Sequence, residues 1–229
     1  MGQMRRLVFL LAISAALLAP ASASAAERTV SVQATVEREV PNDSAEVRFT
    51  VSKERRGRAA ALHVVAVRLR AVIAAAQSTP GVGPGDVTTG SISVRRVKRG
   101  KHPVYRASES VTVVTHTPDA AGGLVAAGVA AGATSTRGPR FFVGNREAAY
   151  NAALVEAFTQ ARTKAEMLAA AAGSTLGPAI TIAESGGVVP ISAPQAKDTP
   201  TGAEAAPSPP VKPGRSTVTA TVAATFALQ

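Results

Sequence analysis

The stretch Val218-Thr-Ala-Thr-Val-Ala-Ala-Thr-Phe226 decides how the rest of the chain is read. Val218, Ala220, Val222, Ala224 and Phe226 occupy every second position. That is the period of a strand with one face in a core and one in water. A half-buried strand at the very end of a chain has to return to a sheet built from earlier residues. The last strand therefore makes the preceding Pro-rich segment an internal excursion and favours one domain over two.

Working back from it, two further alternating runs open the folded region. Thr29 to Val36 places Val30, Val32, Ala34 and Val36 on one face, and Ala45 to Val51 does the same with Ala45, Val47, Phe49 and Val51. Pro41-Asn42-Asp43 between them is turn chemistry, so the pair is expected as an antiparallel hairpin. The period then changes. Leu62, Val65, Ala66, Leu69, Val72, Ile73 and Ala76 recur at helical spacing between Arg58 and Gln77, with Arg68 and Arg70 facing away. Val87 to Val97 reads as a strand whose apolar phase slips at Gly90, as at a bulge. Tyr105 to Thr115 is the next strand.

Pro118 and Asp119 start a helix to about Ala131, weakened by Gly122, Gly123 and Gly128. Arg140 to Val143 is a short strand. Asn145 caps a long helix whose buried stripe is Leu154, Ala157, Phe158, Ala161, Ala165 and Leu168. That helix closes at Gly173. Pro178 to Glu184 is a strand, and residues 186–214, rich in Pro, Ala, Ser and Thr, are expected as a flexible insertion. The expectation is an α+β fold: a mainly antiparallel sheet with helices packed on one face. The aromatic share is 3% with no Trp, so the core is aliphatic, mainly Ala and Val.

The first residues read differently. Met1 to Arg6 is short and basic, Leu7 to Ala19 is apolar, and a run of small residues ends at Ala25-Ala26. This is the order of a secretory signal peptide over residues 1–25, with the domain from 26 to 229. The apolar run falls short of the roughly 20 residues that span a bilayer. No later segment reads as a membrane span, and an exported protein is expected: periplasmic, cell-surface or extracellular. Removing Arg5 and Arg6 takes the formal charge from +10 to +8. With no Cys, disulfides and thiolate chemistry are excluded.

Catalytic and cofactor patterns are weak. Gly81-Val-Gly-Pro-Gly-Asp86 has half a dinucleotide fingerprint, but it follows a helix and precedes a strand, the wrong order for a phosphate loop. His63, His102 and His116 lack ligand spacing, and Glu184-Ser-Gly-Gly187 is no nucleophile elbow. Asp43 and Glu46 sit close in sequence, where turn stabilisation explains them. The expectation is no enzyme, no cofactor and no metal. Two basic segments remain, Lys53 to Arg58 and Arg95 to Arg106. Read plainly they are solvated loops. Read functionally, Arg95, Arg96, Lys98, Arg99, Lys101 and Arg106 form an anion-binding patch for phospholipid or wall polymer. Nucleic acid is not expected as a partner: only Tyr105 lies close enough to stack on a base, and the chain is expected outside the cytoplasm.

Several segments in order resemble the SIMPL domain, or DUF541, family. They are Val40-Pro-Asn-Asp-Ser-Ala45, Tyr105-Arg-Ala-Ser-Glu-Ser-Val-Thr-Val113, Ala131-Gly-Ala-Thr134 before Arg140-Phe141, Lys164-Ala-Glu-Met-Leu-Ala-Ala-Ala-Ala-Gly173, Leu176-Gly177, Ile182-Ala-Glu-Ser185 and the final Thr-Val alternation. Glu109 and the basic connection near Lys98 depart from the family pattern. The resemblance implies a secreted or periplasmic α+β domain. Bacterial relatives are described as envelope proteins, immunogenic in some pathogens and linked to oxidative-stress defence. Some relatives form ring-like oligomers, and an animal relative binds an interleukin-1-receptor-associated kinase. The expected function is thus an exported, non-enzymatic envelope protein. It would act through self-association or protein contacts, with the anionic-surface module as the alternative and an envelope hydrolase a distant third.

Overall fold

The computed structural model describes residues 27–100, 102–189 and 210–229. The predicted signal peptide, Lys101 and most of the predicted insertion lie outside the described residues. The chain runs β1 (Thr29–Pro41), β2 (Ser44–Arg55), α1 (Arg58–Gln77), β3 (Val87–Arg99), β4 (His102–Thr115), α2 (Ala121–Ala130), β5 (Ser135–Phe142), α3 (Arg146–Ala171), β6 (Leu176–Val189) and β7 (Arg215–Leu228). Single 3-10 turns at Pro84–Asp86 and Pro118–Ala120 lead into β3 and α2.

The α+β expectation holds, but the single sheet does not. The strands form a three-stranded sheet in the order β1-β7-β6 and a four-stranded sheet in the order β3-β4-β2-β5, antiparallel throughout. The predicted β1–β2 hairpin is therefore wrong. β1 pairs with β7 from Thr29↔Ala227 to Pro41↔Arg215, while β2 pairs with β4 and β5. The reason lies in Asn42. Its backbone N–H donates to the Gly214 carbonyl at 3.2 Å, its side-chain Nδ2 donates to the Pro213 carbonyl at 2.7 Å, and its Oδ1 accepts from Ser216 Oγ at 2.6 Å. These bonds pin the turn to the start of β7, and the chain passes from one sheet to the other instead of folding back.

Each sheet has one covered face. On the four-stranded sheet, Val47, Phe49 and Val51 of β2 and Val111 and Val113 of β4 meet Val65, Leu69 and Val72 of α1 and Leu124 of α2. Gly128 lies against the Phe49 ring, where a Cβ would fall 2.6 Å from Cζ. On the three-stranded sheet, Ala153, Ala157, Ala161, Ala165 and Ala169 form a buried stripe along α3. Ala at every fourth position lets this helix lie close over Val32, Val36, Val218, Val222 and Phe226. α1 is itself long and apolar enough to cross a membrane by length and composition, contrary to the reading of the sequence. Here it packs along β2 and β4 through Ala61, Val65, Leu69, Val72 and Ala76.

The expected α3 stripe is corrected at Leu168, which is 48% exposed while Ala153 and Ala169 are buried; the caps and the bulge fall where expected. Asn145 Oδ1 accepts the Ala148 N–H at 3.0 Å, and Gly173 has φ 67 at the end of α3. The β3 bulge falls between Thr89 and Ile92. Several boundaries move: β1 continues to Pro41, β2 to Arg55 and β3 to Arg99, and β4 begins at His102, so the basic segments expected as loops are largely paired strand. β5 begins at Ser135, before Arg140, because Thr136 and Arg137 pair with Phe49 and Arg48. β6 continues to Val189, so residues 186–189 of the predicted insertion are paired strand.

Candidate functional site

The β2–β4–β3 register brings the two basic segments together. Glu54 lies opposite Arg106, Arg55 opposite Tyr105, Arg95 opposite Arg106 and Arg99 opposite His102. Segments separated by α1 in the sequence thus share one end of the four-stranded sheet. Lys53, Arg55, Arg56 and Arg58 join Arg95, Arg96, Lys98, Arg99 and Arg106 there; Lys101 lies outside the described residues. Gly100 turns the β3–β4 hairpin with φ 58, and a groove of about 440 Å³ at its tip is lined by Arg96, Lys98, Gly100, His102 and Pro103.

Glu54 stands among these cations. Its Oε2 accepts from Arg99 Nε at 3.0 Å and its Oε1 from Arg106 Nε at 2.9 Å. Hydrogen bonds from Arg99 and then Arg106 hold its carboxyl below the usual glutamate range, while burial opposes the shift. The six predicted anion-binding residues therefore divide. Arg99 and Arg106 share a carboxylate, whereas Arg95, Arg96 and Lys98 form no ion pair among the described residues. A cluster of long cations around one carboxylate keeps a strong positive field at this end, and exposed charges of this kind respond steeply to salt.

A second polar cluster joins residues that the sequence left scattered. Ser44 Oγ donates to Asp43 Oδ1 at 2.9 Å and lies 3.3 Å from His116 Nδ1, while His116 Nε2 lies 3.1 Å from Asp86 Oδ1. Asp43 Oδ1 also accepts the Gly144 N–H at 2.6 Å. The array borders a cavity of about 690 Å³ with Phe142 and Val114 in its wall. Its residue types are those of nucleophilic catalysis, but Ser44 is 1% exposed and its hydroxyl bonds to the adjacent carboxylate. A nucleophile needs an accessible oxygen and a base positioned to take its proton. The array instead ties together the start of β2, the end of β4, the turn before β3 and the link into α3. Sequence gave little sign of it: Ser44 and Asp86 look like ordinary turn residues.

The remaining candidates disperse. His63 and His102 are exposed on α1 and at the start of β4. Glu46 lies 3.6 Å from Arg140. The Gly81–Asp86 segment is a turn, as its context indicated: Gly81 has φ 78 and Asp86 Oδ2 accepts the Gly83 N–H at 2.7 Å. That bond, with a smaller contribution from His116, lowers the Asp86 pKa while burial opposes it. Among the described residues no group of three or more His, Asp or Glu is placed to hold a metal ion.

Fold and site together define an α+β protein of two antiparallel sheets, each with one helix-covered face, carrying a strongly basic sheet end. The sequence matches the family described as "SIMPL: Protein of unknown function (DUF541)" over residues 30–226. The chain belongs to the SIMPL family. Among curated proteins, none matches it.

Proposed function

We propose that this chain is an exported, non-enzymatic envelope protein that docks on an anionic envelope surface through the basic end of its four-stranded sheet. The observation that carries the reading is the convergence of Lys53–Arg58 with Arg95–Arg106 across the β2–β4–β3 pairing. Vesicle co-sedimentation tests it. The protein should bind vesicles containing phosphatidylglycerol and ignore phosphatidylcholine vesicles. Substituting Glu at Arg95, Arg96 and Lys98 should weaken binding at least tenfold. Equal binding by the variant, or binding that does not respond to salt, contradicts the reading.

A second reading, self-association, rests on the sheet edges. β3 carries Arg95, Arg96, Lys98 and Arg99, β5 is short and contains Pro139, and β1 carries Glu37, Arg38 and Glu39. Such features discourage edge pairing. β6 carries Pro178 and its register shifts only within Leu176–Thr181; beyond them it continues to Val189 with Glu184 its one charge, and Ile180 and Ile182 are exposed on it. Light scattering decides this reading: Ile182→Lys should shift an assembly toward monomer, and an unchanged mass rejects β6 as the contact.

A further inference from the structure

The open face of the four-stranded sheet carries an arginine recess some way from the basic end. Glu54 and Arg48 are six residues apart on β2, about 20 Å at strand spacing. The recess has a volume of about 280 Å³ and is lined by Glu46, Arg48, Arg137, Gly138 and Arg140.

A bulge in β5 builds it. Arg140 pairs with Glu46 and Arg137 with Arg48, so three steps along β5 match two along β2. On a regular strand, residues three apart face opposite sides. The extra residue puts Arg137 and Arg140 both opposite the outward-facing Arg48 and Glu46. Gly138 makes the close approach possible: its φ is 102, and a Cβ there would lie 2.6 Å from the Glu46 carbonyl oxygen.

Two of the guanidinium groups are already oriented. Arg48 Nε donates to Thr112 Oγ1 at 3.1 Å, which leaves its terminal nitrogens for another acceptor. Arg140 lies 5.9 Å from the Phe142 ring centroid, with Arg146 at 5.7 Å from the same ring, and 3.6 Å from the Glu46 carboxylate. Arg137 is exposed and forms no ion pair among the described residues. Three guanidiniums against one carboxylate leave an excess positive charge, and guanidinium forks suit tetrahedral oxyanions. Phe142 links the recess to the cavity of about 690 Å³, where Val114 adds apolar wall and Ser44 and His116 add polar groups.

We infer that the recess of Arg48, Arg137 and Arg140 is a binding site for the phosphate of a small phosphate ester, whose organic part lies along Phe142 in the neighbouring cavity. The site is separate from the basic end. Glu46, beside Arg140, accepts a hydroxyl or amine of a ligand and selects against a bare polyanion.

The test is titration of the purified protein with inorganic phosphate and with phenyl phosphate, followed by amide chemical shifts at constant ionic strength. Shifts should concentrate at Arg137, Gly138, Arg140 and Thr112. Phenyl phosphate should bind several-fold more tightly than inorganic phosphate, and Phe142→Ala should remove that difference. Arg137→Glu and Arg137→Gln should each weaken phosphate by tenfold or more with unchanged melting. The Arg95, Arg96 and Lys98 charge reversal should leave it intact. Undiminished binding in both Arg137 variants, or the same shifts with chloride, overturns the site. Equal affinity for the two ligands overturns the role given to Phe142. Loss of phosphate binding on reversal at Arg95, Arg96 and Lys98 would place the anion at the basic end instead.

Discussion

Gly123 and Gly128 lie in the same short helix, α2, yet replacing each with Ala should move stability in opposite directions. A Cβ at Gly123 meets nothing within 4 Å. Gly123→Ala should therefore show the gain in helix propensity alone, up to about 1 kcal/mol. At Gly128 the same gain is opposed. The new Cβ would fall 2.6 Å from Phe49 Cζ and 2.8 Å from Cδ1, closer still to Cε1. Phe49 is fully buried among Val47, Val51, Val65 and Val111, so its ring cannot swing away without disturbing the core. Overpacking of this kind costs about 1–3 kcal/mol. Because the propensity gain is common to both variants, their difference isolates the packing cost. At about 2–4 °C per kcal/mol for a chain of this length, the two melting temperatures should separate by roughly 2–12 °C, Gly128→Ala lower. Calorimetry or urea unfolding measures this, and Phe49→Leu in the Gly128→Ala background should recover part of the loss through coupling. If both variants melt together, or Gly128→Ala melts higher, the close approach of α2 to β2 is wrong.

Further outcomes follow from single contacts. Asn145→Ala removes the cap on the Ala148 N–H and should cost about 0.5–2 kcal/mol in urea unfolding, with Asn145→Asp recovering most of it. The Gly83 hydrogen bond depresses the Asp86 pKa in the fold, so the turn's stabilisation is present above the ordinary aspartate value of about 3.9 and is lost only as pH falls through the lower folded value. An amide-shift titration of Gly83 should accordingly inflect below about 3.9, and inflection at or above that value rejects the bond.

The strands and helices were legible because burial imposes periods of 2 and 3.6 on the residues that cover a core, and Val218–Phe226 and Leu62–Ala76 show each clearly. Strand partners were not legible. Pro41-Asn42-Asp43 has the composition of a hairpin turn, and nothing local shows that the Asn42 side chain is occupied by Pro213 and Ser216, more than 170 positions away. The same limit applied to the basic residues. Their segments were visible, but their adjacency depends on β2 pairing with β4, and the division between Arg99 or Arg106 and Arg95, Arg96 and Lys98, which form no ion pair among the described residues, depends on where Glu54 points. The arginine recess was hidden for another reason. Arg137 and Arg140 share a face only because one extra residue enters β5, and Gly138-Pro139 reads as a break in a strand rather than a bulge within it.

Hydrogen exchange of the purified protein with and without phosphatidylglycerol vesicles most directly tests docking through the basic end. Protection should appear at residues 53–58 and 95–106, with β1 and β7 unchanged. Protection centred on β6, or spread evenly over both sheets, would contradict it.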